Sequence, residues 1–538
     1  MGKNPSINTA TMGKAASIAV LIMAASNILS RLLGFVRIKT MAQVAGATAN
    51  VDAYVFAFII PDMINHFLAG SALSITFIPI FQKYFLDGRE PKDGWQFFSN
   101  LFTTGTLVFA LAILLSVIYT DKILFFAGEN IKSSSNPEIF ALTVKLTRII
   151  LPAQLFFFWG ALLNGVQYAN KRFLLPALTP ICYNLGIILC GILLYRYVGI
   201  AGFSWGVLLG AFVGNVAVQI PGALKVGMKY RFIINPKDKD LRIYTIKTIP
   251  FIAGLTLVFS NELFLKLFGS YAKTGEGSIA TLDYSYKIFF MLVGLLGQSV
   301  AAGVYPFLSQ LALEKRIDEL KKLLHALTTK IIIILIPISV LLFVISNEAI
   351  SILLRGGEFT ASDVVATSKN FQFYLIGAYF CALVLVVNRV YFAMQSTYTP
   401  LIITSLSVIF TIPFFFFFSE KFGAPGVALA TSLSAILMGC SLYGYWSWKN
   451  KNRLIFSYIL HTFGVYFISF IGGYFAWYIG KISFLNNLFI NSHYLIKSLF
   501  QCIIQTIPSL LLVVFLLHIT KLLTLSDLKK LLSKKKAG

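Results

Sequence analysis

The sequence predicts an all-α integral membrane protein with about fourteen transmembrane helices, arranged as two pseudo-symmetric six-helix lobes plus two C-terminal helices. Three observations predict this fold class. Only 12% of the 538 residues are charged, about half of what a soluble domain needs to cover its surface. Apolar runs of about 20 residues, enough to cross ~30 Å of hydrocarbon, recur from end to end. Finally, two motifs recur at nearly the same distance along the chain.

Apolar runs, read against prolines, glycines and charge clusters, define the predicted spans. The first 16 residues are polar and no small-residue cleavage site follows the first apolar run, so we expect that run to be a retained helix. The predicted spans are 17–38, 52–80, 96–120, 138–168, 176–196, 200–222, 246–268, 281–310, 326–346, 368–394, 400–419, 424–447, 456–480 and 496–518.

Lysine and arginine alone predict the orientation of these spans. With a cytoplasmic N-terminus, 28 of the 45 Lys and Arg residues fall on the cytoplasmic side and 12 on the opposite side. This asymmetry predicts that both termini are cytoplasmic. The net charge of +24 is therefore interpreted as a topology signal, and no nucleic-acid partner is expected.

An internal repeat predicts how the spans are grouped. Gly70 precedes Pro79 by nine residues, as Gly297 precedes Pro306, at an offset of 227. Asn164 and Asn388 each open an Asn-x-x-x-aromatic-Ala motif with a proline at plus twelve, at an offset of 224. Each offset covers six spans, so the halves insert the same way up and resemble transporter halves that enclose a central site. The predicted organisation is a lobe at 1–222, a basic linker at 223–245, a second lobe at 246–447, and two helices with a basic tail at 448–538.

Charged residues inside predicted spans mark a candidate binding site. Burying an Arg or Lys at mid-membrane costs ~2.5–3.5 kcal/mol on insertion scales, so such residues usually face a bundle interior or a cavity. Arg31 and Arg37 in the first span, Asp52 in the second and Lys287 in the eighth meet this description. They favour a cationic site for a phosphate-bearing group. Pairing of either arginine with Asp52, or snorkelling of Arg37 to the interface, stays open as an alternative.

Two further polar residues are candidate ligands of a coupling cation. Glu262, beside Asn261, and Asn388 offer oxygen ligands, although an interhelical hydrogen bond is the alternative for Glu262. The five cysteines and five histidines form no metal-ligand spacing, and no nucleophile elbow or phosphate-cradling loop occurs. We therefore expect no metal, no cofactor and no enzymatic activity. A membrane glycosyltransferase or phosphatase would need catalytic carboxylates or a His/Arg motif in a loop, and a pure scaffold would not need charges within its spans.

Several segments in order resemble the MurJ (MviN) family of lipid II flippases. The resemblance covers most of the first twelve predicted spans. The segments that carry it are Ser30–Arg37, Asp52–Tyr54, Phe77–Pro79, Leu163–Gly165, Pro176–Pro180 and Arg355–Thr360 with Asp363.

This resemblance implies a fold of the multidrug/oligosaccharidyl-lipid/polysaccharide exporter superfamily in a bacterial inner membrane. It implies that undecaprenyl-pyrophosphate-linked peptidoglycan precursor, lipid II, is moved from the inner to the outer leaflet by alternating access. Membrane potential or a cation would bias the cycle, and the last two helices would form a groove for the lipid tail. The resemblance places Arg31, Arg37 and Asp52 on functional family positions, and Lys287 where the family usually has Arg. Membrane lipids and the anionic lipid-linked glycan are the expected partners, and a monomer is expected.

One departure keeps the substrate open. Family members commonly carry an Arg pair and an Ala-Glu-Gly in the second span, where this chain has Asn65-His66 and Ala69-Gly70. The alternatives are another polyprenyl-linked glycan or, within the same superfamily, a drug exporter. A cationic drug would need acids in the site, whereas bases dominate here.

Overall fold

The computed structural model describes residues 9–68, 70–86, 91–128, 136–246, 248, 260–271, 275–396, 398–482 and 493–522. The chain forms two compact units, Met1–Leu267 and Phe268–Gly538. Regular structure in the described residues is helical, and an isolated bridge joins Gly356 to Phe359. The predicted all-α fold is therefore confirmed.

The described part of the first unit is built from twelve helices. Residues 213–217 form a π-helical turn between α10 and α11. The helices are α1 (Thr9–Ala45), α2 (Ala49–Phe56), α3 (Ile59–Leu68), α4 (Gly70–Leu86), α5 (Pro91–Ile118), α6 (Thr120–Ala127), α7 (Pro137–Ile150), α8 (Ala153–Ala169), α9 (Leu174–Val198), α10 (Ala201–Phe212), α11 (Gln219–Lys225) and α12 (Ser260–Tyr271), the last of which ends in the second unit.

The second unit continues from the end of α12. A second π-helical turn, at 294–298, joins α13 to α14. The helices are α13 (Ser278–Val293), α14 (Ser299–Leu313), α15 (Ile317–Val344), α16 (Ser346–Leu354), α17 (Ala361–Ile376), α18 (Ala378–Ala393), α19 (Tyr398–Phe422), α20 (Ala424–Lys449), α21 (Leu454–Gly480) and α22 (Tyr494–Ile519).

Twelve of the predicted spans correspond to helices able to cross a membrane. Within the described residues, eleven helices are long and apolar enough, and α17 with α18 makes a twelfth candidate bent by 47°. The two remaining predicted spans have no such helix among the described residues. The span 52–80 is divided among α2, α3 and α4, and most of the span 246–268 lies outside the described residues.

The break in the second predicted span has a local cause. The chain turns at 57–58, where α2 ends. Pro61 lies in the first turn of α3, the one place where a proline costs a helix no hydrogen bond because it has no N–H to donate. The Asp62 N–H then bonds the Phe58 carbonyl at 2.8 Å and continues α3. Asp62 therefore lies on the short helix α3. The apolar pattern of the sequence predicts a continuous span here and does not predict this separate helix.

The sequence repeat has a counterpart in local structure. Asn164 lies five residues before the end of α8, and Asn388 lies five residues before the end of α18. Pro176 is the third residue of α9, and Pro400 is the third residue of α19. Each proline thus occupies the first turn of its helix, where it is tolerated. The two motifs build the same helix–turn–helix junction in each unit.

Small residues allow the closest helix packing in the first unit. A Cβ added to Gly186 on α9 would lie 2.5 Å from the Gly210 Cα on α10. A Cβ at Gly206 would lie 2.7 Å from the Ile187 Cα. Membrane helices gain van der Waals contact in this way, because lipid supplies no hydrophobic force between them. The helices α9 and α10 are therefore tightly packed, and α1, which carries Arg31 and Arg37, lies along α9.

Candidate functional site

Lys287 is held on α13 by a buried carboxylate. Its Nζ donates to Asp283 Oδ2 at 2.5 Å, one helical turn away. The Asp283 side chain is only 3% exposed, whereas the Lys287 side chain is 30% exposed. An ammonium has three N–H donors, so Lys287 keeps donors for a ligand while Asp283 orients it. The pair presents positive charge at its exposed end.

Lys266 on α12 sits in a second acid–base cluster, in the first unit. Its Nζ bonds the Asp62 carboxylate of α3 and lies 3.9 Å from Glu262 Oε1, one turn earlier on its own helix. The ammonium also lies 5.7 Å from the Phe58 ring centroid, within cation–π range. The Lys266 side chain is 4% exposed, Asp62 28% and Glu262 42%. This cluster buries its cation and exposes its carboxylates.

Arg37 approaches the same region of the first unit from α1. Its guanidinium carbon lies 6.0 Å from the ring centroid of Tyr183 on α9. Of the predicted site residues in this unit, Arg37 therefore packs against α9, and Glu262 belongs to the cluster around Lys266.

Arg31 lies on α1, which is packed along α9. Ser26 donates to the Ala177 carbonyl, and Asn184 Nδ2 bonds the Ser30 carbonyl at 3.4 Å. These contacts fix the α1 backbone on either side of its middle turns. The Arg31 side chain is exposed, one residue after this anchored point. Arg31 is thus displayed from a firmly held helix face.

Asp52 occupies the first turn of α2 and is buried, with 8% of its surface exposed. A carboxylate in the first turn of a helix is stabilised by the positive end of the helix dipole. The Asp52 N–H bonds the Thr48 carbonyl at 3.0 Å, which begins the helix. Asp52 therefore lies at the junction between α1 and α2, with its carboxylate at the N-terminal end of α2.

Asn388 is half-buried near the end of α18, and its Oδ1 accepts no hydrogen bond from any described residue. Asn164, its repeat equivalent on α8, has the same property. A buried carbonyl oxygen without a donor costs free energy, so each such position needs a reason. The neighbouring Arg389 lies 5.6 Å from the ring centroid of Tyr305.

Lys145 and Arg148 share one face of α7, as their spacing predicts. They line an open cavity of about 800 Å³ together with Asp121 and Trp205. Arg148 Nε donates to the Val117 carbonyl at 3.2 Å, which ties α7 to the end of α5. One of these two cations is therefore structural.

Lys266 is the charged residue that the sequence argument missed. It lies two residues before the end of the predicted span 246–268 and is not among the candidate site residues predicted from the sequence. One signal was present, because Glu262 and Lys266 have the i, i+4 spacing of a helical ion pair. The partner that buries Lys266 is Asp62, which lies 204 residues earlier and has no local signature.

Among the described residues, no group of three or more His, Cys, Asp or Glu residues is placed to hold a metal ion. The five cysteines are all free thiols. The partly exposed charged side chains of Lys287, Asp62 and Glu262 can bind groups of opposite charge.

Comparison with known proteins agrees with this arrangement. Residues 41–499, more than half of the chain, match the family described as Lipid II flippase MurJ. A protein of Buchnera aphidicola subspecies Baizongia pistaciae, named probable lipid II flippase MurJ, is 27% identical over 424 residues, 77% of this chain and 80% of its own length.

Solved structures show the same fold. A lipid II flippase MurJ in an inward closed conformation superposes with a TM-score of 0.75 and 24% identity, covering 93% of this chain and 98% of that chain. An inward-facing multidrug resistance transporter of the MATE family and MOP superfamily gives 0.64 at 12% identity, over 78% of this chain and 94% of its own. The chain belongs to the MurJ family of lipid II flippases.

Proposed function

We propose that this protein is a transporter that moves lipid II from the inner to the outer leaflet of a bacterial inner membrane by alternating access. The observation that carries the proposal is the family match across residues 41–499, which covers both units. The proposed boundaries are lobes at 1–222 and 246–447, a linker at 223–245, and an appended region at 448–538, with both termini cytoplasmic. The protein works as a monomer, without catalytic chemistry.

The pyrophosphate of the substrate is bound by Arg31, Arg37 and Lys287. Arginine binds phosphate oxygens as a two-pronged fork and lysine as a point charge, so the arginines orient the group and Lys287 adds attraction. Support comes from the exposure of Arg31 and from the 30% exposure of the Lys287 side chain. Asp52, buried in the first turn of α2, is the fourth residue of the proposed substrate-binding site.

The apolar tail of the substrate binds along α21 and α22. An apolar cavity of about 700 Å³ lies beside α21, and its lining includes Tyr379, Tyr466 and Trp477. Tyr379 belongs to α18 and Tyr466 to α21, and α15 contributes Val340 and Phe343 to the same lining. A polyprenyl chain is apolar and flexible, and such a concave apolar surface suits it.

The cycle is biased by membrane potential or by a coupling cation, for which Glu262 and Asn388 are the proposed ligands. An anionic headgroup that moves outward is favoured by an inside-negative potential, at ~2.3 kcal/mol per charge per 100 mV. Glu262 contributes an exposed carboxylate and Asn388 a buried oxygen without a hydrogen-bond donor in the described residues. Both are oxygen ligands of the kind that alkali cations accept.

A second candidate substrate is another polyprenyl-linked glycan. It is favoured by Asn65 and His66, which stand in the second predicted span where the resemblance expects an arginine pair. Loss of two cations weakens binding of a pyrophosphate headgroup.

Complementation separates the two candidates. We expect the chain to restore growth when the lipid II flippase of a bacterial host is depleted. A Lys287→Met variant, present in the membrane at the same level, should not restore growth. Rescue of a strain that lacks a flippase for a different polyprenyl-linked glycan, without rescue of lipid II depletion, would favour the second substrate and contradict the first.

A further inference from the structure

The segment 226–246, here called the basic strap, follows α11 and carries five Lys and Arg residues against two acids. Both acids are engaged locally. Asp238 Oδ1 accepts the Leu241 N–H at 2.7 Å, which caps a short helix, and Asp240 accepts the Tyr84 hydroxyl. The basic side chains therefore dominate the surface charge. They are all exposed: Lys229, Arg231, Lys237, Lys239 and Arg242.

The middle of the strap is hydrogen-bonded to α5. Asn100 Nδ2 donates to the Asn235 carbonyl at 2.9 Å, and Asn100 Oδ1 accepts the Asn235 N–H at 2.8 Å. Ser99 Oγ accepts the Arg231 N–H at 3.1 Å. One side chain thus satisfies both backbone groups of a strap residue, as a neighbouring β-strand would. The strap has a defined register along α5.

The end of the strap is buried in the first unit. Leu241 is 8% exposed and Tyr244 5%, and both belong to a cluster with Phe81 and Trp95. Burial of the Tyr244 phenol raises its pKa above the ordinary value. Burial of these two side chains fixes the position of the strap. A loop that only sets the membrane topology through its positive charge does not need a fixed position.

The anchor points lie at the edge of the apolar part of α5. From Gly94 to its end at Ile118, α5 contains no charged residue. These 25 residues rise ~38 Å, more than the ~30 Å of the hydrocarbon core, so the ends of the stretch extend into the headgroup layers. Ser99 and Asn100 lie within the first two turns of this stretch. The strap therefore contacts the end of α5 at which we expect a headgroup layer.

The exposed side chains of the strap are both basic and apolar. Phe232 is 71% exposed and Ile234 is 49% exposed, and they alternate with Arg231 and the half-buried Ile233. In an extended segment alternate side chains share a face, so Phe232 and Ile234 project together and Arg231 projects from the opposite face. Exposed cations, Arg231 and Lys237, precede and follow the two apolar side chains along the chain, which matches a headgroup layer where apolar groups insert and cations pair with phosphates.

We propose that the basic strap binds the headgroups of anionic phospholipids in the adjoining leaflet, with Phe232 and Ile234 inserted between them. This inference goes beyond the proposed transport function, because it concerns lipids that are not carried. In this proposal the whole strap forms a single binding site for anionic lipid. Each of its basic residues contributes about a fivefold preference for an anionic over a neutral lipid.

The test uses the full chain with Phe232→Trp in nanodiscs that contain a brominated lipid at one mole fraction. Brominated phosphatidylglycerol should quench the new tryptophan more than brominated phosphatidylcholine, relative to the unsubstituted chain. The triple variant Lys229→Gln, Arg231→Gln, Lys237→Gln should remove this excess. The matched variant Lys449→Gln, Lys451→Gln, Arg453→Gln removes the same charge from the second unit and should leave the excess intact.

Equal quenching by the two lipids would overturn the proposal, as would an excess that survives the strap triple variant. Absence of quenching by either lipid would also overturn it, and would leave the strap to an acidic protein partner. Because all substituted strap residues are exposed, thermal unfolding midpoints of the variants should match that of the parent chain.

Discussion

Two lysines on helices that follow one another in the sequence each have an acidic residue four positions earlier, but the burial of the two lysines differs. Lys266 follows Glu262 by four residues on α12, and Lys287 follows Asp283 by four residues on α13. The Lys266 side chain is 4% exposed and its helical partner 42%, whereas Lys287 is 30% exposed and its partner 3%. The first cluster therefore turns carboxylates outward, and the second turns an ammonium outward.

The cause of the difference is the third group in the first cluster. Asp62 reaches Lys266 from α3 and the Phe58 ring lies against the ammonium, so the cation is enclosed. Lys287 has one carboxylate partner among the described residues, and that partner is the buried one. The comparison teaches that acid–base spacing along a helix predicts a pair, while tertiary contacts decide which charge is available to a ligand.

The largest effect is expected at the lysine that is presented outward. Lys287→Met should lower the rate of lipid II flipping by at least about a hundredfold, because it removes a charge-assisted contact to phosphate and also leaves the buried Asp283 carboxylate without its cation. Lys287→Arg should retain activity, since it keeps the charge and adds a fork. Flipping by purified variants in proteoliposomes measures both. Equal activity of the Met variant and the parent would remove Lys287 from the site.

Arg31→Ala should likewise reduce flipping by about tenfold to a hundredfold, with an unchanged thermal unfolding midpoint. The reason is that Arg31 is exposed, so truncation deletes a ligand group without opening a cavity in the core. A lower unfolding midpoint together with normal flipping would assign Arg31 a structural role instead.

The enclosed lysine should act on stability. Lys266→Met leaves Asp62 without its cation in a partly buried place, which should cost about 2–3 kcal/mol of unfolding free energy. The double variant Asp62→Asn with Lys266→Met should recover about half of that loss, because no uncompensated charge remains. Denaturant unfolding of the four proteins in a double-mutant cycle gives the coupling energy. Additive losses would mean that the two residues do not interact in the membrane.

The smallest change in stability should come from substitution of Glu262. Its Oε1 lies 3.9 Å from the Lys266 Nζ and the side chain is 42% exposed, so Glu262→Gln should cost less than about 0.5 kcal/mol of stability. Flipping should instead lose its dependence on the coupling cation. Titration of sodium against flipping, at constant ionic strength, checks this. An unchanged cation dependence would leave Glu262 with the hydrogen-bonding role alone.

Much of the fold follows from the sequence because span length and apolarity are local properties. Span limits such as 424–447 differ by two residues or fewer from the helix Ala424–Lys449. The repeat likewise predicted a shared structure, seen in Asn164 and Asn388, which lie the same distance from the ends of their helices. The fold class and the family were therefore accessible from residue patterns.

The site was less accessible, for a physical reason. Neither Asp62 nor Lys266 is among the site residues predicted from the sequence, because the two lie 204 residues apart and no local pattern pairs them. The division of the second span depends on a turn before Pro61, which hydropathy does not register. Contacts between helices, unlike periodicity within one helix, are set by the whole packed unit.

Reconstituted flipping tests the central claim most directly. Proteoliposomes should carry the purified chain and fluorescent lipid II, with an imposed inside-negative potential and a membrane-impermeant quencher outside. The account predicts that the chain moves lipid II to the outer leaflet, that collapse of the potential slows this movement, and that Lys287→Met abolishes it. Lipid II that stays inaccessible in vesicles with the parent chain, or that moves equally fast with the Met variant, would contradict the account.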